Sequence, residues 1–303
     1  MENEDEKEVE QGVGDTRRPL YILFVAGIAN TLLNLLFVLV FHMGVEGVAI
    51  STSIANALSA FLMVRLLRRE EVPFRLDFHD LHVDRRELLR MLKIGVPAGL
   101  QGMVFSVSNV VVQSQINTFG ADAVAGSSAA LNFEYYCYFI IQAFNGAAIS
   151  FIAQNYGAGL MQRVRRVFWI CMIASVIFCG MMNGIFACFS PFFLRIFSSS
   201  EAIIPYGVTR MHLVLAFQWI ACSYEISASA LRGMGRSLLP ALLTVVGTCL
   251  LRMVWVFAVC PVWPGFHRLM LVYPLSWVLT GAMVVVAYVR FMKKAGDAPL
   301  AVR

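Results

Sequence analysis

The chain contains 303 residues, of which 59% are hydrophobic and 14% are charged, and its 24 Lys and Arg outnumber its 19 Asp and Glu. Soluble domains are usually about 25% charged, and a soluble protein of 33.7 kDa could not bury this much apolar surface. The apolar residues form blocks of about 20, the length at which a helix crosses a bilayer. These figures exclude an ordinary soluble domain and indicate an all-α, polytopic transmembrane helical bundle.

Eight apolar segments are predicted to span the membrane. In chain order they cover residues 20–41, 45–64, 94–119, 124–156, 167–189, 208–231, 238–259 and 269–289. Their continuous apolar character argues against barrel strands, which alternate in polarity over about 10 residues. The fourth segment is too long for one bilayer thickness, so its ends are expected to project or the helix to tilt.

Basic residues mark alternate connections between the predicted spans. They cluster before the first span, between the second and third, and after the fourth, sixth and eighth, whereas the other connections carry little beyond Arg195, Arg210 and Arg268. By the positive-inside rule, both termini and the loop between the second and third spans are expected in the cytoplasm. This topology accounts for the pI of about 8.9, so the lipid bilayer is an expected partner and nucleic acid is not.

No enzyme, metal centre or cofactor is predicted. The seven cysteines are odd in number and form no Cys-x-x-Cys pair, which is typical of neither a disulfide framework nor a zinc site. In the loop between the second and third spans, Asp77, His79, Asp80 and His82 lack the spacing of a metal cage, and Asp84 is better explained as the N-cap of a basic amphipathic helix. No phosphate loop or nucleophile arrangement occurs.

A Gly-x-Gly turn followed by a proline occurs at residues 12–19 and, with the same spacing, at residues 233–240. The first copy begins the first span and the second copy begins the seventh span. Because six spans separate them, both copies enter the membrane from the same side, as in a parallel six-helix repeat. Spans three to eight are then expected to form one complete unit, and the first two spans are expected to be the end of another unit, whose first four helices this chain would lack.

The predicted organisation follows from this repeat. It comprises an acidic tail (1–11), the last two helices of a first lobe (12–69), a cytoplasmic linker (70–92), a six-helix second lobe (93–294) and a cytoplasmic tail (295–303). The acidic tail is too polar to cross a membrane.

Four segments carry a family resemblance: GVGDTRRPLY (12–21), LKIGVPAGLQ (92–101), AQNYGAG (153–159) and ALRGMGRS (230–237). In this order they resemble the multidrug and toxic compound extrusion (MATE) family, especially its bacterial branch of the DNA-damage-inducible type. The resemblance implies twelve helices in two lobes, and a bacterial inner-membrane antiporter that exchanges amphipathic or cationic compounds for H⁺ or Na⁺ by alternating access. This chain resembles the last eight helices, with a truncated first lobe, so another chain is a possible source of the others.

Glu134, Glu225 and Arg252 are the ionisable residues that lie well inside the predicted spans. A charge at the bilayer centre costs at least about 2.5 to 3.5 kcal/mol on insertion scales, so these residues are functional candidates. Their depths along the helices predict that Arg252 pairs with Glu134 and that Glu225 is free to exchange a proton for a cation. The resemblance implies similar roles, because Asn132-x-Glu134 is similar to a cavity element of the family branch and Glu225 matches an acid on its sixth-span helix.

Amide side chains are predicted to line a substrate cavity. Asn109, Gln113 and Asn117 are spaced four apart and therefore share one face of the third span. The residues predicted to line the cavity are Gln101, Asn109, Gln113, Asn117, Asn132 and Gln142, and Asn145 is a further amide of the fourth span. The alternative is that these amides only form hydrogen bonds between helices.

Pro97 lies near the cytoplasmic start of the third span, where it removes a backbone hydrogen bond and is expected to bend the helix. A bend beside a cavity is a candidate hinge for alternating access, and the alternative is a static kink. Two alternatives to drug efflux also stay open. One is a lipid-linked oligosaccharide flippase, which favours basic cavity residues such as Arg252, and the other is a nonfunctional fragment of a transporter.

Overall fold

A computed structural model describes residues 17–68, 84–198 and 200–297, and nearly all of these residues are helical. Within these ranges, eight helical segments are long and apolar enough to cross a membrane. They are Leu20–Val40, Val45–Leu66, Met91–Asn117, Ala121–Gly157, Met161–Cys188, Ile204–Gly233, Leu238–Val262 and Phe266–Lys294. Each overlaps one predicted apolar block, which confirms the all-α class and the eight predicted spans.

Some predicted features lie outside the described residues. These are the acidic tail (1–11), the first Gly-x-Gly turn, the end of the C-terminal tail (298–303) and the loop residues Asp77, His79, Asp80 and His82. Asp84 is described, and a helix begins at the next residue, Arg85, as the N-cap prediction requires.

The chain divides into two units between Asp84 and Arg85. In the first unit, α1 (Arg17–Leu35) continues through a π-helical turn (Leu36–Val40), and α2 (Val45–Leu67) packs against it as a helical hairpin. The Asn30 side chain lies between the two helices, where its Nδ2 is 3.4 Å from Thr52 Oγ1. Polar contacts of this kind help helices to associate where no hydrophobic effect drives them together.

The second unit contains the six remaining spans. Its helices in the third to sixth spans are α3 (Arg85–Asn117), α4 (Ala121–Gly157), α5 (Met161–Cys188), α6 (Ser190–Arg195), α7 (Ile204–Leu213) and α8 (Ala221–Gly233). Helix α4 has 37 residues and is therefore about 55 Å long, well beyond the roughly 30 Å of a hydrocarbon core. The predicted excess length of the fourth span is confirmed. Helix α3 continues through Pro97 without interruption, and the hinge stays a prediction.

The seventh and eighth spans each consist of several shorter helical elements. Their helices are α9 (Leu238–Thr244), α10 (Leu251–Val254), α11 (Cys260–Val262), α12 (Phe266–Met270) and α13 (Val272–Asp297). Two π-helical segments, Val245–Leu250 and Trp255–Val259, lie on either side of α10, which contains Arg252. The sixth span is also irregular, since a 3-10 segment (Leu215–Ile220) joins α7 to α8. Such departures from α-helical geometry occur frequently at functional sites.

Helices α4 and α7 cross at two glycines. A Cβ atom added to Gly126 would lie 2.5 Å from the carbonyl oxygen of Ile203 and 2.9 Å from the backbone nitrogen of Gly207. Because only glycine fits there, the two backbones can approach closely. Glu134 lies about two turns after Gly126, and Arg210 lies about one turn after Gly207. The crossing therefore positions these two charged residues.

Candidate functional site

Glu134 and Arg210 form an ion pair inside the second unit. Arg210 Nε donates to Glu134 Oε1 at 2.5 Å, and Arg210 Nη2 donates to Glu134 Oε2 at 3.0 Å. The remaining nitrogen, Nη1, donates to Ser127 Oγ at 2.7 Å. The exposed fractions of Arg210 and Glu134 are 3% and 7%. This two-point, charge-assisted contact fixes the geometry of both side chains and ties α4 to α7.

The predicted pair between Glu134 and Arg252 is therefore wrong. The prediction began the sixth span at residue 208 and counted Arg210 with the outer connection. In the structure the helix begins at Ile204, so Arg210 is a turn and a half inside the span. From that position it reaches Glu134 on α4, and the side chain of Arg252 makes other contacts.

Arg252 is 2% exposed and has polar and aromatic neighbours. Its Nη1 donates to Asn109 Oδ1 at 2.8 Å, and its Nε makes a longer contact of 3.4 Å with Ser276 Oγ. Its Cζ lies 4.5 Å from the ring centroid of Tyr273 and 5.2 Å from that of Phe105. Within residues 17–68, 84–198 and 200–297, no carboxylate forms an ion pair with this guanidinium.

Tyr273 links the two buried arginines. Its ring centroid is 5.3 Å from Cζ of Arg210 and 4.5 Å from Cζ of Arg252. A guanidinium over an aromatic face is attracted by the ring quadrupole. The residue lies in the first turn of the long helix α13 and is 8% exposed. It therefore connects the ion pair of α4 and α7 with the arginine of α10.

Glu225 is held differently from Glu134. It is partly buried on α8, where Asn145 Nδ2 of α4 donates to its Oε2 at 2.9 Å. Among the described residues, no Lys or Arg lies within ion-pair distance of Glu225. Arg232, two turns further along α8, donates instead to Gln101 Oε1 at 2.8 Å. The two carboxylates of the spans thus have different partners, a guanidinium for Glu134 and an amide for Glu225.

The structure brings three of the predicted lining residues to the charged groups. Asn109 contacts Arg252, and Gln101 contacts Arg232. Gln142 Oε1 accepts a hydrogen bond of 3.3 Å from Asn145 Nδ2, the same amide that binds Glu225.

The other three lining residues form hydrogen bonds within their own helices. Asn132 Nδ2 donates to the carbonyl of Ser128 at 3.0 Å. Gln113 Nε2 donates to Asn117 Oδ1 at 3.1 Å, which confirms their shared helix face. Both Asn117 and Asn132 are exposed. Their place in a cavity stays a prediction.

Sequence reasoning missed Arg210 and Tyr273 as site residues, and it noted Asn145 as a polar residue of the fourth span without predicting its contact with Glu225. A signal for Arg210 was present, because Pro205 is typical of a first helical turn and so places Arg210 inside the helix. Asn145 is an amide in an apolar block, as are the residues that were predicted. Tyr273 has no comparable signal, because its role depends on which helices become neighbours.

Eight apolar helical spans, with charged and amide side chains buried between them, define a polytopic α-helical membrane protein. Residues 97–257, more than half of the chain, match the family model described as MatE. The chain belongs to this family, whose members are transporters and not enzymes. The resemblance found in the sequence is confirmed.

The curated relatives are named as multidrug resistance proteins or as transporters. Probable multidrug resistance protein YpnP of Bacillus subtilis is 27% identical over 216 residues, 71% of this chain and 46% of the relative. Probable multidrug resistance protein NorM of Thermotoga maritima is 25% identical over 244 residues, 78% and 52% of the two chains. The FAD transporter of Shewanella oneidensis is 26% identical over 207 residues, 64% and 44% of the two chains. This chain spans about half the length of the curated relatives it matches.

Solved structures share the fold. The MATE protein crystallised in its straight conformation matches with a TM-score of 0.86 at 15% identity, over 96% of this chain and 66% of that one. An outward-facing multidrug resistance MATE transporter matches with a TM-score of 0.83 at 16% identity, over 96% and 65% of the two chains. At these identities the likeness shows the arrangement of helices alone.

Proposed function

We propose that this chain takes part in the efflux of amphipathic or cationic compounds by antiport against H⁺ or Na⁺, with alternating access. The observation that carries the proposal is the difference between the two carboxylates in the spans. Both oxygens of Glu134 are bound to Arg210, whereas Glu225 is bound by one amide of Asn145. A carboxylate without a fixed counter-charge can exchange one cation for another, which is the chemistry that antiport requires.

Glu225 and Glu134 contribute to two contacts between the same spans. The Glu134–Arg210 pair joins the fourth span to the first part of the sixth, and the Asn145–Glu225 hydrogen bond joins it to the last part. The 3-10 segment Leu215–Ile220 lies between the two contacts. We assign the first contact a structural role, in which it stays intact during transport. We assign the second contact a role in the transport cycle, in which it breaks and forms again.

Protonation of Glu225 provides the coupling step. An ionised Glu225 accepts a charge-assisted hydrogen bond from Asn145, and such bonds are about twice as strong as neutral ones. When Glu225 binds H⁺ or Na⁺, this bond weakens and α8 can shift against α4 at the 3-10 segment. When Glu225 releases the ion, it can bind a cationic substrate in its place. Competition for one carboxylate thus makes the two fluxes opposite in direction.

The proposed location follows from the sequence and the family. We place the chain in a bacterial inner membrane with both termini in the cytoplasm, as the distribution of basic residues predicts. The names of the relatives, which refer to multidrug resistance, support amphipathic small molecules as substrates.

Transport of ethidium into proteoliposomes under an imposed H⁺ or Na⁺ gradient tests the proposal. The wild-type chain is expected to transport ethidium in response to at least one of the two gradients. Glu225→Gln is expected to transport no faster than liposomes without protein, because its amide cannot exchange a cation. Glu201→Gln is the matched control, since the Glu201 side chain is 78% exposed and pairs with Arg195. Gradient-driven transport by Glu225→Gln at the wild-type rate would exclude Glu225 as the coupling residue.

A further inference from the structure

Arg252 is a buried cation in the middle of the seventh span without an anionic partner among the described residues. A charge at this depth is costly, and proteins usually retain such a charge for a function. The other buried arginine, Arg210, is neutralised by Glu134 and is explained by that pair. Arg252 has no comparable structural explanation.

Only two of the three guanidinium nitrogens of Arg252 make polar contacts with described residues. Nη1 is bonded to Asn109, and Nε makes a 3.4 Å contact with Ser276. Nη2 bonds to no described residue, and it is not one of the fully enclosed polar atoms that lack a partner. Asn109 itself is exposed on α3. A ligand that approaches along Asn109 can therefore reach the unused donor.

The surroundings of this donor are aromatic. Phe105, one turn before Asn109 on α3, and Tyr273 of α13 both lie against the guanidinium. Phe105 is partly exposed, so an apolar ligand can also contact its ring. The π-helical segments on both sides of α10 place Arg252 in an irregular part of its span, as is frequent at functional sites.

We propose that Arg252, together with Asn109, binds the carboxylate or phosphate group of an amphipathic organic anion whose apolar body lies against Phe105. A guanidinium presents its donors in a planar fork that matches these anions. The inference rests on the proposed function and extends it, because it adds amphipathic molecules that carry an anionic group to the cationic compounds that compete for Glu225. Binding itself is an equilibrium property and is measured without transport.

The test is the binding of two matched fluorescent probes to the full chain in phosphatidylcholine nanodiscs. 1-Pyrenebutyrate is the anionic probe, and 1-pyrenebutanol is its uncharged analogue. Binding is measured by energy transfer from tryptophan to pyrene. Trp255 lies one turn from Arg252 and can act as the energy donor. Empty nanodiscs correct for partition into lipid. The wild type is expected to bind the anion at least about tenfold more tightly than the alcohol, the factor expected for one charge-assisted hydrogen bond.

Two variants are expected to abolish this preference while both still bind the alcohol. Arg252→Gln removes the charge, and Asn109→Asp places a carboxylate against Nη1 with almost no change in volume. The second variant adds a counter-ion to a buried charge, so its effect cannot be attributed to loss of fold. Asn155→Asp is the control, because the Asn155 side chain is not a predicted lining residue and bonds within α4 to the carbonyl of Phe151; it is expected to keep the preference.

The proposal is overturned if the wild type shows no preference for the anion, or if the preference persists in both Arg252→Gln and Asn109→Asp. Addition of phosphatidylglycerol to the nanodiscs distinguishes the sources of the anion. If phosphatidylglycerol competes with 1-pyrenebutyrate at Arg252, the natural ligand is a lipid headgroup. If it does not compete, the natural ligand is a soluble amphiphile. Both results support the site. A chain that binds the anion at Arg252 and yet fails to transport ethidium would contradict the proposed antiport and leave this site established.

Discussion

Replacement of Arg210 by methionine is expected to destabilise the second unit by about 3–5 kcal/mol, the usual cost of leaving one partner of a buried ion pair alone. Glu134 is a buried residue, and its carboxylate would lose both of its charged hydrogen bonds. Ser127 would lose its donor as well. The free energy of unfolding can be measured by titration with SDS in mixed micelles, followed by tryptophan fluorescence.

Arg195→Met is the matched control for this prediction. Arg195 also pairs with a glutamate, Glu201, but the two side chains are 62% and 78% exposed. Exposed pairs contribute about 0–1 kcal/mol, so this variant is expected to unfold nearly as the wild type does. The double variant Glu134→Leu with Arg210→Met is expected to recover much of the lost stability, because it leaves no charge unpaired. Equal losses in the free energy of unfolding for Arg210→Met and Arg195→Met would show that the buried pair does not stabilise the packing of α4 against α7.

Gly126→Val is expected to have the second large effect, a loss of at least about 3 kcal/mol, the upper end of the usual cost of overpacking. A Cβ at this position would overlap the backbone of Ile203 and Gly207, and backbone cannot move aside as a side chain can. Separation of α4 from α7 would also lengthen the Glu134–Arg210 contact. The same SDS titration measures the loss.

Gly146 provides the comparison on the same helix. A Cβ added there meets nothing within 4 Å, so Gly146→Val is expected to change stability by about 0.5 kcal/mol or less, as is usual away from special features. If both valine variants were equally stable, the close crossing of α4 and α7 would be of no importance for the fold.

The spans could be predicted from sequence because the bilayer imposes a length and a composition on each of them. Every predicted apolar block overlaps one helical span, and even the excess length of α4 was evident. The breaks inside the sixth and seventh spans were not evident. The 3-10 segment Leu215–Ile220 and the π-helical segment Trp255–Val259 contain neither proline nor glycine to mark them.

The sequence predicted charged residues that belong to the candidate site, but it did not predict which of them contact each other. The cost of a buried charge was enough to select Glu134, Glu225 and Arg252. Which arginine meets Glu134 depends on where α4 and α7 cross, and a depth estimate along single helices cannot supply that information. Arg252 was at a plausible depth, but the crossing at Gly126 brings Arg210 to the carboxylate instead.

The binding of ethidium to the purified chain, measured by fluorescence at several concentrations of H⁺ and of Na⁺, tests most directly whether Glu225 is the site of cation exchange. In the wild type, the affinity for ethidium is expected to fall as the concentration of the coupling ion rises, because both compete for Glu225. In Glu225→Gln, the affinity is expected to be independent of both ions, while Glu201→Gln behaves as the wild type. A Glu225→Gln chain whose ethidium affinity still falls with H⁺ or Na⁺ as in the wild type would contradict the account.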